Sequence, residues 1–88
     1  MYFVYILWCS ETGRTYVGQT EDLVQRYRRH REGSTRTTRE KLRQPVVMYW
    51  ESHPTRADAV KRERYFKAGA GHRAKVELVE QARRWFVG

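Results

Sequence analysis

Four residues of this chain have types and spacing suited to phosphate chemistry: Tyr5, Tyr16, Arg26 and Glu63. Tyr5 closes the string Phe3-Val4-Tyr5 and Tyr16 opens Tyr16-Val17-Gly18, two β-favouring runs. Ser10-Glu11-Thr12-Gly13 between them is turn chemistry, so the spacing predicts a hairpin. Alternation puts Tyr5 on one face with Phe3, Leu7 and Cys9, and Tyr16 with Arg14 and Gly18. A glycine within a strand often marks a close approach to the backbone, which makes Gly18 a candidate nucleic-acid contact. Arg26 falls three residues after Leu23 and four before His30, at the edge of an inward helical stripe. Its guanidinium either packs its stem and wets its head or is a fixed cation aimed at a phosphate. Glu63 lies between Ala59 and Phe66 on another apolar stripe, where a carboxylate is costly unless paired or bound to a cation. A surface ion pair is the plainer alternative, yet Glu63 is the best metal-ligand candidate in the chain.

The elements that must position these groups follow from period and punctuation. Thr20 is expected to cap a first helix running to Gly33, with Glu21 and Asp22 in its first turn and Leu23, Tyr27 and His30 or Arg31 turned inward. Arg28, Arg29 and Arg31 then lie toward solvent. From Gly33 to Gln44 hydroxyls alternate with bases, and no apolar residue precedes Leu42. A short helix over Thr38 to Leu42 is expected there. Arg36, Arg39, Lys41 and Arg43 offer phosphate contacts, unless the stretch is a plain polar connector. Pro45 to Glu51 reads as a third strand broken by His53-Pro54, and Thr55 to Asp58 as a capping box opening the principal helix. Gly69-Ala70-Gly71 stops that helix. His72 to Trp85 forms a last one, with Val76, Leu78, Val79, Ala82 and Phe86 as its apolar set. The predicted order is β-β-α-α-β-α-α, an α+β domain with helices on a small sheet.

Composition limits the function classes. Eighty-eight residues make one domain, residues 1–88, burying little more than ~60% of its unfolded surface, so large side chains must supply the core. Eighteen Lys and Arg against ten Asp and Glu, a formal +8, point to an anionic partner, nucleic acid before membrane. The apolar runs are too short and too interrupted by charge to span a bilayer, and no basic segment with an apolar stretch follows Met1, so a cytoplasmic protein is expected. The single cysteine, Cys9, excludes an internal disulfide and a thiolate-rich metal site. On an apolar strand it reads as a small core residue rather than a nucleophile.

Together, Phe3-Val4-Tyr5, Tyr16-Val17-Gly18 ten residues before Arg26, His30 four beyond, the Pro45 to Glu51 strand and Arg62-Glu63 on a later helix resemble the GIY-YIG nuclease family, in particular its small stand-alone bacterial members. The resemblance runs from Tyr2 to about Lys75. It implies a three-stranded antiparallel sheet flanked by helices and a one-metal phosphodiester hydrolase. In similar proteins the tyrosine matching Tyr5 acts as, or assists, the general base on a water, and the one matching Tyr16 positions the phosphate or that water. The arginine matching Arg26 stabilises the phosphate, the histidine matching His30 helps proton transfer or positioning, and the glutamate matching Glu63 binds Mg²⁺ or Mn²⁺. This chain departs in having Phe3 where the family name has glycine, Val17 for isoleucine, and no asparagine anywhere.

A phenol with a pKa near ~10 is a poor base at neutral pH, so Tyr5 would need Arg26 or the metal to depress it. Two functions of different class are consistent with these residues. One is a divalent-metal-dependent endonuclease acting on DNA, branched or damaged, with target choice supplied by a partner protein because no DNA-binding module is attached. The other is a nucleic-acid-binding module on the same scaffold that cuts slowly or not at all. Retention of all five functional side chains favours the nuclease, since binding alone needs only the bases. RNA is a weaker expectation, because the chain shows no exposed aromatic signature of an RNA-binding sheet.

Overall fold

The computed structural model describes residues 1–9, 11–31 and 45–87, with side chains described for 1–9, 11–30 and 45–84. Over these residues the elements are β1 (Tyr2–Trp8), β2 (Thr15–Thr20), α1 (Leu23–Arg31), β3 (Val46–His53), α2 (Arg56–Phe66) and α3 (Gly69–Val87). The described strands form an antiparallel sheet ordered β2-β1-β3. This is the expected α+β architecture. The helix expected over Thr38 to Leu42 and the contacts Arg36, Arg39, Lys41 and Arg43 lie outside the described residues.

Central position explains the composition of β1. Val4, Ile6 and Leu7 are fully buried and Tyr5 nearly so, because a strand covered on both faces has no polar side to spare. Val4 and Ile6 pack with Val17, Met48, Ala59, Phe66 and Val79, the core beneath α2 and α3. Tyr5, Leu7 and Cys9 point the other way and meet Leu23 and Tyr27 of α1, with Tyr16 and Val47. At the hairpin turn the Gly13 amide donates to the Cys9 carbonyl at 2.8 Å and the Cys9 amide to the Arg14 carbonyl at 3.0 Å.

Along β3 the register is not uniform. Ile6 faces Tyr49 and Leu7 faces Val47, so the pairing skips Met48. Such a surplus residue turns the rest of the strand over. Beyond it Tyr49 packs with the α2 and α3 core, while Trp50 turns to the α1 side and touches Phe3.

Several boundaries differ from expectation, each for a local reason. Asp22 rather than Thr20 caps α1: its carboxylate accepts the Gln25 amide at 3.0 Å, and Thr20 Oγ1 accepts the Asp22 amide at 3.2 Å. The helix therefore begins at Leu23, and neither Glu21 nor Asp22 lies in its first turn. Ladder pairing carries β3 to His53. Thr55 does cap α2, accepting the Asp58 amide at 3.2 Å. Helix α2 ends at Phe66 with Lys67 as its C-cap, before the Gly69 to Gly71 stretch expected to stop it, and that stretch instead opens α3. Val79 is buried in α3 as expected, but Val76 is 44% exposed. Among the described residues no helix is long and apolar enough to cross a membrane.

Gly71 is where α3 turns across the end of α2. A Cβ there would stand 1.7 Å from the Tyr65 carbonyl oxygen and 2.4 Å from its carbon, both backbone atoms that cannot swing aside. Gly71→Ala should therefore destabilise the fold by more than about 2 kcal/mol, read as a shifted midpoint in urea unfolding. An unchanged midpoint would show that the crossing is not tight.

Candidate active site

The site begins with a vacancy in β2. Tyr5 and Gly18 face each other across the ladder, and a Cβ on Gly18 would lie 2.5 Å from the Tyr5 hydroxyl and 2.9 Å from Cε1 of Tyr16. The close approach that a strand glycine signals is thus made by the protein's own phenol. Gly18 is buried, so what it provides is room for two rings rather than an exposed contact.

Helix α1 brings the polar partners. Its cap at Asp22 and the Tyr27 hydroxyl, which donates to the Pro45 carbonyl at 2.9 Å, fix it over the Tyr5 face. Arg26 Nε donates to the Tyr5 oxygen at 3.4 Å, and His30 Nε2 lies 2.9 Å from the same oxygen. Tyr16 stacks at a tilt on His30, centroids 4.7 Å apart, and lies 6.2 Å from the Tyr5 ring. Tyr5, Tyr16, Arg26 and His30, separated by up to 25 positions in sequence, are one cluster.

Its electrostatics correct one expectation. Burial pushes the Tyr5 phenol up to about 12; Arg26's hydrogen bond and charge oppose this, while the charges of Tyr16 and Glu63 add to it. Arg26 by itself therefore does not make Tyr5 a phenolate near neutrality. Burial, helped by the Arg26 charge, pushes His30 down to about 4. His30 is therefore neutral at pH 7. In the His30 tautomer that leaves Nε2 unprotonated, the phenol donates to that nitrogen while its oxygen accepts from Arg26. The resulting chain runs Arg26 to Tyr5 to His30.

Glu63 approaches from a different element. Helix α2 sends Ala59 and Phe66 into the core on the far face of the sheet, yet the Glu63 charge acts on the Tyr5 phenol. Its side chain is 22% exposed and pairs with Lys67 at 3.8 Å. Burial first and the Lys67 charge second hold the Lys75 ammonium below its ordinary value. Among the described residues no three His, Cys, Asp or Glu side chains gather as a metal cage. Glu63 is a hard carboxylate of the type that holds Mg²⁺, an ion that commonly keeps most of its waters and takes one or two carboxylates. Arg28 and Arg29 are exposed on α1.

A second group was not legible in advance. Arg62 Nε donates to both Glu51 oxygens, at 3.2 and 3.1 Å, Tyr49 donates to Oε1 at 2.6 Å, and His53 Nε2 contacts Oε2 at 2.5 Å. Burial would raise the Glu51 carboxyl, but these hydrogen bonds and the Arg62 charge hold it below the ordinary carboxylate value. The Arg62 guanidinium also lies over Phe66 at 4.4 Å and Tyr65 at 4.8 Å. Neighbouring residues on a helix point about 100° apart, so clamping Arg62 to β3 sets the rotation of α2 and hence the direction of Glu63. The spacing Tyr49-x-Glu51-x-His53 was the available signal.

The buried histidine makes acid stability a test of this geometry. A group whose pKa falls from 6.5 to about 4 on folding binds its proton more readily in the unfolded chain, so its contribution is intact above about pH 6.5 and erodes down to about pH 4. From pH 7.5 to pH 5 His30 should cost about 2 kcal/mol. Urea unfolding at both pH values should show His30→Gln losing less stability on acidification than the parent; equal losses would deny that His30 is buried and neutral.

Comparison with known proteins gives the family. The model of the GIY-YIG catalytic domain matches residues 1–74. A UPF0213 protein in the ldhD 5′ region of Pediococcus acidilactici is 38% identical over 68 residues, covering 75% of this chain and 68% of that one. A UPF0213 protein of Staphylococcus aureus strain Mu3 is 33% identical over 81 residues, 91% of this chain and 95% of its own. No solved structure matches. The family implies nuclease-type chemistry on nucleic acid, and the chain belongs to the GIY-YIG catalytic domain family.

Proposed function

We propose that this chain is a divalent-metal-dependent endonuclease that hydrolyses phosphodiester bonds in DNA. The observation that carries the reading is the Tyr5 hydroxyl, which accepts from Arg26, contacts neutral His30 and feels the charge of Glu63. Such a group can pass a proton without first becoming phenolate. As water attacks phosphorus its proton goes to the Tyr5 oxygen and the phenol's proton moves to His30 Nε2, leaving an imidazolium that burial disfavours in the free protein and that the negative charge of the phosphate would favour. The bond from phosphorus to the leaving oxygen breaks as the new one forms. Arg26 balances charge on the non-bridging oxygens, and Tyr16, fixed against His30, positions the phosphate or the water. Mg²⁺ or Mn²⁺ held by Glu63 would neutralise the leaving oxygen and reverse the sign of the charge that Tyr5 feels from that direction.

Exposed Arg28 and Arg29 suit the DNA backbone, and Arg36, Arg39, Lys41 and Arg43 are proposed as further contacts. Binding should then weaken with log salt at a slope near ~0.9 per phosphate contact on duplex DNA.

Cleavage of labelled duplex, single-stranded and branched DNA with Mg²⁺, Mn²⁺ or chelator tests the reading. Glu63→Ala should abolish cleavage while leaving binding largely intact, and equal loss of both would make the residue structural. Tyr5→Phe removes one oxygen and should lower the rate at least about 100-fold. Undiminished cleavage by that variant would dismiss the relay. DNA binding without cleavage under any metal condition would leave the binding-module alternative.

A further inference from the structure

The sheet face that carries Tyr5 is not fully covered by α1. Directly across the ladder from Tyr5 on β3 stands Trp50, 55% exposed. The register skip at Met48 puts its ring on this side, where Phe3 meets it at 66° with centroids 5.8 Å apart. That contact fixes the plane of the indole and leaves more than half of the side chain in water. This corrects the expectation that the sheet offers no exposed aromatic. In a small domain short of core, the largest apolar side chain is usually drawn inward.

We propose that Trp50, backed by Phe3, is a stacking platform for an unpaired base of single-stranded DNA passing beside the Tyr5 site. Three observations select that occupant. The flat exposed ring next to an arginine-bearing helix pairs a π-surface with a phosphate contact, the combination that holds single strands. A formal +8 disfavours a second copy of the chain and attracts a polyanion. Bases within a duplex are stacked on both faces and cannot offer one to Trp50, whereas an unpaired base can. Its cross-strand partner Tyr5 lies one strand spacing away at the backbone, roughly 5 Å, with its hydroxyl over β2, so a strand stacked here would reach the site across β1. This placement rests on the nuclease reading for its meaning: the platform would favour unpaired or distorted sites for cutting.

The test is binding in EDTA, where nothing is cut. Full-length protein is titrated into a fluorescein-labelled oligothymidylate, the same sequence as RNA, and a blunt duplex, and read by anisotropy. Trp50→Ala should weaken single-stranded DNA binding roughly tenfold, change duplex binding less than about twofold, and be largely rescued by Trp50→Phe. The oligothymidylate should quench intrinsic fluorescence in the parent and much less in Trp50→Phe. Unchanged single-strand affinity, equal loss on duplex, or a larger loss on RNA would each overturn the proposal. So would a shift from dimer to monomer on Trp50→Ala in sedimentation, which would make the face a self-interface. Failure of the nuclease reading appears elsewhere, as DNA that is bound but left uncut with Mg²⁺ or Mn²⁺, and leaves these titrations to be judged on their own.

Discussion

Tyr5 can reach Arg26 and His30 because Gly18, its partner across the ladder, places nothing in the way. The rest of the site hangs on that fit. With the ring seated over β2, its oxygen comes within hydrogen-bonding distance of two residues one turn apart on α1, and Tyr16 fills the adjoining space against His30. A methyl group at position 18 would displace the phenol whose position the other groups are built around. The glycine therefore matters through its emptiness, and the chemistry depends on a residue that takes no part in it.

The same environment explains why the phenol is better suited to passing a proton than to holding a charge. Burial outweighs the nearby guanidinium, and the neighbouring carboxylate adds to its effect. Neutral His30 contacts the phenol oxygen from one side and Arg26 supplies a fixed positive charge from the other. On the other side of the sheet, Arg62 locks α2 to Glu51 and lies over two aromatic rings. Adjacent residues of one helix thus differ in role: Arg62 holds the helix in place, and the Glu63 charge is felt by the Tyr5 phenol.

Much of this was legible in the chain itself, where local chemistry decides. The tyrosine runs, the turn, the Thr55 cap and the apolar stripe through Ala59 and Phe66 are short-range signals, and each produced its element. Thr20 and Asp22 are both good caps, and the choice fell to the carboxylate that reaches Gln25. Val76 matches helical spacing yet stays exposed, because the crossing at Gly71 decides which side of α3 is covered. The neutrality of His30, the raised phenol and the Glu51 cluster arise from tertiary burial, which periodicity cannot express. Gly18 was singled out for a close neighbour, but whether that neighbour was foreign or internal depended on a ring thirteen residues away.

One unpaired residue in β3 has a further consequence. Met48 shifts the parity of everything after it, so that an ionic group on one side and an indole on the other are both correctly addressed. Loss or gain of a single position there would exchange the two, sending the indole toward the helices and the carboxylate toward water. Lineages of this domain should accordingly change the length of this strand only by even steps.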